Sequence, residues 1–238
     1  MKQQLIRPDS FFFGTRSLPC PYLEGKVERK VVTHLSGQNA GELYERLSHA
    51  GFRRSHKLAY RPACPGCTAC IPVRIDAQRF KWTKSFRRVA NSNDDLTAED
   101  VEATATVEQY RLFSTYQHQR HEGGEMSGME FDHYKSMIED TPVSSRTIEF
   151  RDVEGRLVAM MLMDRMEDSL SAVYSFFDTN LSGRSLGTYM ILWLVKCAVT
   201  LGMSHVYLGY WILGSEKMAY KARFKPLEKL GSNGWTVI

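Results

Sequence analysis

From position 187 to 201 the apolar residues Ile191, Leu192, Leu194, Val195, Ala198 and Leu201 recur at helical spacing, and Gly202 follows as a stop, so the pattern predicts a buried helix. Upstream the period changes. The runs 147–151, 157–163 and 170–177 are separated by Glu154-Gly155 and Glu167-Asp168-Ser169, which predicts three antiparallel strands joined by tight turns. After the helix, 205–208 predicts a further buried strand. Met160, Met161 and Met163 lie in the second of these strands and are expected to fill core or to shape an apolar pocket.

The first half of the chain is more broken. A helix is predicted over 36–51, capped by Ser36 or Asn39, with Leu43, Tyr44 and Leu47 on one face and Gly51 as its stop. Short strands at 58–60 and 71–75 flank a loop holding Pro62, Pro65 and Gly66. Polar residues 91–97 mark a boundary, and Thr97 with Asp100 predicts the start of a helix running to about Gln119 and ended by Gly123-Gly124. A last helix is predicted over 131–139, before Thr141-Pro142. The expected organisation is a smaller domain, 1–92, with a cysteine loop and a basic stretch, and a second domain, 93–238. Three strands, a turn, a helix and a strand make the second an α+β, acetyltransferase-like (GNAT-like) mixed sheet, an unrelated mixed sheet being the alternative.

Composition fits an ordinary globular protein, 43% hydrophobic and 24% charged, with no apolar run long enough to cross a bilayer, so a cytoplasmic protein without a membrane partner is expected. Charge changes the picture more. Between positions 51 and 88 there are ten basic residues against one acid, a local +9, whereas 94–108 holds six acids and no base. Phe80, Trp82 and Phe86 are interleaved with Lys81, Lys84, Arg87 and Arg88, a mixture suited either to phosphate contacts with base stacking or to a solvated face over a core edge.

Just before the long helix, 181–187 places Arg184, Ser185 and Gly187 where unpaired backbone N–H groups and the helix dipole favour an anion or a polarised carbonyl. That turn carries less glycine than a pyrophosphate cradle needs, which argues against coenzyme A as the donor. The five cysteines form an odd, clustered set, Cys20, Cys64, Cys67, Cys70 and Cys197. The first four can supply a structural zinc or iron-sulfur site, or stay reduced thiols, and both readings stand.

Several motifs in order carry a family resemblance: Pro19-Cys20-Pro21-Tyr22, Gly51-Phe52-Arg53-Arg54-Ser55, Tyr60-Arg61-Pro62-Ala63-Cys64, Lys84-Ser85-Phe86-Arg87-Arg88, Ser185-Leu186-Gly187-Thr188-Tyr189, Tyr207-Leu208-Gly209-Tyr210-Trp211-Ile212 and Lys217-Met218-Ala219-Tyr220-Lys221. Over nearly its whole length the chain resembles the aminoacyl-tRNA protein transferases, most closely the bacterial aspartate/glutamate leucyltransferases. The resemblance implies transfer of leucine from Leu-tRNA to the N-terminal amine of proteins beginning with Asp or Glu, which marks them for degradation.

An aminoacyl ester is already activated, so such an enzyme has mainly to orient a neutral amine and stabilise an oxyanion, with no cofactor required. Tyr174, Asp178 and Tyr189 flank the turn and are the expected catalytic groups, set against core packing for the tyrosines and a turn cap for Asp178. Lys81, Trp82, Lys84, Arg87, Arg88, Arg184, Ser185 and Gly187 are expected to face the tRNA donor. Reading an acidic first residue needs a cation, and Arg61, Arg74, Lys217 and Lys221, which stand outside the densest basic run, are expected to serve that pocket or the terminal adenosine of the tRNA. Two other functions remain open at this stage: arginyl transfer to the same acceptors, and a non-catalytic module binding RNA or acidic N-termini.

Overall fold

The computed structural model describes residues 11–124 and 126–238. In chain order its elements are β1 (Phe12–Gly14), β2 (Leu18–Pro19), β3 (Val27–Glu28), β4 (Lys30–His34), α1 (Ala40–His49), β5 (Arg53–Ser55), β6 (Leu58–Pro62), β7 (Cys70–Asp76), α2 (Lys84–Asn91), β8 (Thr97–Glu102), α3 (Val107–Arg120), α4 (Phe131–Glu139), β9 (Ser145–Arg151), β10 (Leu157–Arg165), β11 (Ser169–Phe177), α5 (Leu186–Thr200), β12 (His205–Ile212), β13 (Leu227–Gly231) and β14 (Gly234–Val237). Single 3-10 segments, Thr179–Arg184 and Glu216–Arg223, precede α5 and follow β12.

Eight strands form one sheet in the order β14-β13-β7-β12-β11-β10-β9-β8, antiparallel throughout except for the parallel pair β11 and β12. The continuous apolar run of β10 is explained by cover on both faces. Met161 and Met163 lie in the core under α5, while Met160 and Leu162 lie in the core beneath α3 and α4. These methionines fill core, and none is left to shape a pocket. On the α3 side the sheet also receives α1, whose Tyr44 and Leu47 pack with Ala59, Met166 and Tyr207. A second, four-stranded antiparallel sheet, β1-β4-β6-β5, forms the smaller N-terminal unit. The α+β, acetyltransferase-like expectation therefore holds, with antiparallel strands, a turn, a helix and a returning parallel strand in the expected order.

Three expectations change. The division at 92/93 is not a packing boundary, because β7 is an interior strand of the large sheet, paired with both β12 and β13, and α2 packs on α5. Residues 97–102 are a strand, not the first turn of a helix. Their acids remain exposed on the sheet edge, where Arg146 pairs with Asp100, and the helix start lies at Thr106, whose hydroxyl accepts from Gln109 N in a reciprocal capping box. Of the aromatics of the basic stretch, Phe86 is not free for stacking on bases, while Phe80 and Trp82 are half-buried against the same core. Phe86 is 2% exposed in a stack with Phe80 and Phe224, and Trp82 meets Phe80 edge-on.

Candidate functional site

The parallel strands β11 and β12 pair only from Ser169 to Ser171 against His205 to Tyr207, and beyond that point they separate. Each is bulged where the gap opens. On β11 the register with β10 skips Val173, and on β12 the register with β7 skips Leu208. Gly209, next to the second bulge, has φ +76°, a conformation that favours glycine, and a Cβ there would meet Arg53 Cζ at 3.0 Å.

Arg53 reaches into this opening from β5. Its Nη1 donates to Ser171 Oγ at 3.4 Å and its Nη2 donates to the Ala172 carbonyl oxygen. Lys221, on the 3-10 segment after β12, is only 7% exposed, and its Nζ donates to the Tyr210 carbonyl oxygen at 2.7 Å. Burial, and then the charge of Arg53, push the Lys221 amine down to about 7. Among the described residues no carboxylate forms an ion pair with either cation. The cleft therefore holds positive charge without its counterion.

Aromatic residues wall the opening. The Tyr210 hydroxyl donates to the Gly51 and Tyr60 carbonyls at 2.9 and 3.2 Å, and the Tyr60 and Tyr210 rings lie 6.2 Å apart. Tyr116 packs on Phe177. Tyr220 lies close enough to Tyr116 and Arg53 for both to act on its hydroxyl. The Tyr174 hydroxyl accepts a hydrogen bond from Gln117 Nε2, and burial followed by Tyr116 pushes it up to about 12, so it keeps its proton at neutral pH. Of the roles open to Tyr174 as an expected catalytic group, a hydroxyl that keeps its proton suits orienting a substrate group rather than accepting a proton.

The other expected residues separate into two sets. Lys217 joins the cleft's edge, where its charge is felt by His121 beside Tyr116. Lys81, Lys84, Arg87 and Arg88 are exposed on α2 and just before it. Phe86 of α2 stacks on Phe224 immediately beyond the Lys221 segment, with the Arg223 guanidinium over the Phe86 ring, so this basic surface adjoins the cleft. The remaining residues have other partners. Asp178 caps the 3-10 turn by accepting from Asn180 N, and Tyr189 packs edge-on against Phe150. Arg184 is engaged by Asp95, Asn93 Oδ1 and the Ser92 carbonyl, while Gly187 makes room for the Phe177 ring, which a Cβ would meet at 3.2 Å. Ser185 turns the chain into α5 at φ 53°. Arg74 is neutralised by Glu228 at 2.7 Å and lies over Trp235, and exposed Arg61 donates to the Ala50 carbonyl. None of these seven shares a hydrogen bond with Lys221, whose Nζ is bonded to the Tyr210 carbonyl.

On the sequence Arg53 belongs to the basic block and to the motif Gly51-Phe52-Arg53-Arg54-Ser55, but not to the expected acceptor or donor residues. Its signal was Gly209, an isolated glycine within a strand run, which marks a bulge or the close approach of another group. The cysteine thiols Cys20, Cys64 and Cys67 lie near enough to Cys70 that burial and then their charges push it up to about 11. No three of their sulfurs come within 4.8 Å of one another among the described residues, which is wider than a closed four-thiolate shell.

Comparison with known proteins adds to this geometry. Two family models match, "Arginine-tRNA-protein transferase, N terminus" over residues 18–88 and "Arginine-tRNA-protein transferase, C terminus" over residues 108–231. The aspartate/glutamate leucyltransferase of Paramagnetospirillum magneticum is 56% identical over 231 residues, 97% of this chain and 94% of that protein. Its counterpart in Rhodospirillum rubrum is 57% identical over 236 residues, 99% and 96% of the two chains. Among solved structures, FemX superposes with a TM-score of 0.50 at 7% identity over 80% of this chain and 65% of that one, a likeness of fold.

Proposed function

We propose that this chain, which belongs to the arginine-tRNA-protein transferase family and is closely similar to its aspartate/glutamate leucyltransferases, moves leucine from Leu-tRNA to the N-terminal amine of proteins beginning with Asp or Glu. The observation that carries the reading is the cleft between β11 and β12, in which Arg53 and Lys221 stand without a carboxylate partner. The side chain of an acidic first residue supplies that missing anion. A charge-assisted contact contributes about 1.5–3 kcal/mol, enough to separate Asp from Asn by about ten- to hundredfold.

The chemistry follows from the placement of Lys221. The acceptor nitrogen attacks the carbonyl carbon of the leucyl ester, the C–O bond to the tRNA ribose breaks, and the proton leaving nitrogen passes to the neutral Lys221 amine and then to the departing ribose oxygen. A base poised at about 7 suits this transfer. The Tyr174 hydroxyl, held by Gln117, is placed to orient the acceptor, and no cofactor is consumed. Lys81, Lys84, Arg87 and Arg88 form the surface along which the tRNA phosphates lie. The site of action is the cytoplasm, where aminoacyl-tRNA is made; none of the described helices is long and apolar enough to cross a membrane.

The test is a transfer assay with Leu-tRNA or Arg-tRNA and peptides beginning Asp, Glu or Asn. Leucine is expected on the Asp and Glu peptides alone. Arginine on those peptides would replace the donor assignment, and no product with any pair would leave a binding module. Arg53→Gln is expected to lower kcat/KM for the Asp peptide by about ten- to hundredfold and to erase the preference over Asn.

A further inference from the structure

On the face of the sheet covered by α1, at the root of the parallel pair, Glu45 and His49 of α1 and Asp168 before β11 bring one ligand atom each to within 4.8 Å of one another. Glu45 and His49 are four residues apart and so share one face of the helix. Neither Glu45 nor Asp168 forms an ion pair among the described residues. Two carboxylates at this separation repel unless a positive charge stands between them.

A second observation points to the same place. Four buried side-chain polar atoms lack a hydrogen-bond partner among the described residues: Ser48 Oγ, Asp168 Oδ1, Ser169 Oγ and His205 Nδ1. Asp168, Ser169 and His205 adjoin one another, and Ser48 precedes His49 on α1. Ser169 is paired with His205 across the strands. The Tyr44 hydroxyl donates to Ser171 Oγ, which seats α1 on this end of β11, and Ser48 lies one turn further along the same helix. Ser48 is 3% exposed and Ser169 fully buried. Buried polar atoms are normally satisfied, and a gathered set of orphans marks bound solvent or an ion.

We propose that Glu45, His49 and Asp168 bind a first-row divalent cation, with Ser48, Ser169 and His205 holding its ordered water. One imidazole and two carboxylates suit Mn²⁺, Co²⁺ or Zn²⁺. His49 Nδ1 lies 3.3 Å from the Tyr207 hydroxyl, the kind of outer contact that fixes a metal-binding ring. The cation ties α1 to the first residues of β11 and, through His49 and Tyr207, to β12, and so braces the strands at the point from which the cleft opens.

The probe is Co²⁺, whose visible spectrum separates nitrogen and oxygen ligation from thiolate ligation and so distinguishes this site from the cysteine cluster. The full-length chain is expected to bind one Co²⁺ with a nitrogen/oxygen spectrum and to melt at a higher temperature when loaded. Glu45→Gln and Asp168→Asn, checked for fold by circular dichroism, are each expected to weaken binding at least tenfold. A wild type that binds no Co²⁺, a thiolate spectrum alone, or affinity unchanged in both variants would overturn the assignment. The readout is binding, so it is independent of whether leucine is transferred.

Discussion

Replacing Lys221 with Met keeps the volume of the side chain and removes its amine, and the structure sets two opposed consequences. A fall of the Lys221 pKa from 10.5 to about 7 corresponds to about 5 kcal/mol of preference for the neutral form in the folded state. Between pH 7 and 10.5 the unfolded chain holds a proton on Lys221 that the folded chain has released, so stability rises with pH across this window. Below pH 7 both states are protonated and the cost of the buried charge is present in full. Lys221→Met removes that cost but leaves the Tyr210 carbonyl without its donor, a loss of about 1–3 kcal/mol. The variant is therefore expected to be about 2–4 kcal/mol more stable than wild type at pH 6, with the advantage gone by about pH 10.

Urea unfolding at pH 6, 8 and 10 reads this directly, because the wild-type and variant stabilities must converge and then cross. Transfer activity moves the other way. Loss of the proton acceptor is expected to reduce the rate by about 10²–10⁴-fold, and the rise of kcat/KM with pH centred near 7 should disappear, leaving only the limb set by the acceptor amine near 8. Parallel stability curves for wild type and variant, or full activity with the pH 7 limb intact, would refute both the buried charge and the role assigned to it.

Other outcomes follow from single contacts. Asp164 takes two hydrogen bonds from Arg54 at 2.7 Å with neither side chain exposed, so Asp164→Ala should cost about 3–5 kcal/mol in urea unfolding, whereas Asp100→Ala at the exposed Arg146 pair should cost under about 1 kcal/mol. Reversing the exposed charges Lys84, Arg87 and Arg88 to Glu is expected to raise KM for Leu-tRNA, to flatten its dependence on log salt by about 2 to 3, and to leave the melting temperature unchanged, since only Phe86 of this face is core. Cys70, pushed up to about 11, should be the last of the four clustered thiols to react with iodoacetamide at pH 7.5; a chelator that exposes all four together would show instead that they had been holding a metal.

The C-terminal half was legible because period and burial agree there: β9, β10, β11, α5 and β12 each have one dominant hydrophobic pattern and short turns between them. Elements whose stability comes from distant partners were not. Residues 97–102 carry an acceptable helix start, Thr97-x-x-Asp100, and become an edge strand because β9 offers backbone partners from Thr147 to Arg151. α2 has one fully buried side chain, Phe86, and reads as a charge run until Phe80 and Phe224 close over that ring. The site behaved in the same way. Lys217, Lys221 and Arg53 all lie in motifs, but Arg53 becomes a cleft residue only because its side chain reaches β11, more than 100 positions later, a partner that the pattern around Arg53 does not carry and that only the isolated Gly209 hints at.

Arg53 and Lys221 also connect selectivity to activation. Burial first, and then the neighbouring charge of Arg53, favour the neutral form of the Lys221 amine. An acceptor beginning with Asp or Glu brings both a carboxylate and an α-ammonium group. When the carboxylate pairs with Arg53, the smaller of the two contributions holding Lys221 neutral is offset while its burial remains, and the lysine becomes a somewhat stronger proton acceptor as an amine to be deprotonated arrives beside it. An acceptor beginning with Asn brings the ammonium group without the carboxylate, so Arg53 still opposes the protonation of Lys221 and the amine stays charged. Preference for acidic N-termini then arises in the reacting complex as well as in binding, and part of the discrimination between Asp and Asn is expected in kcat as well as in KM.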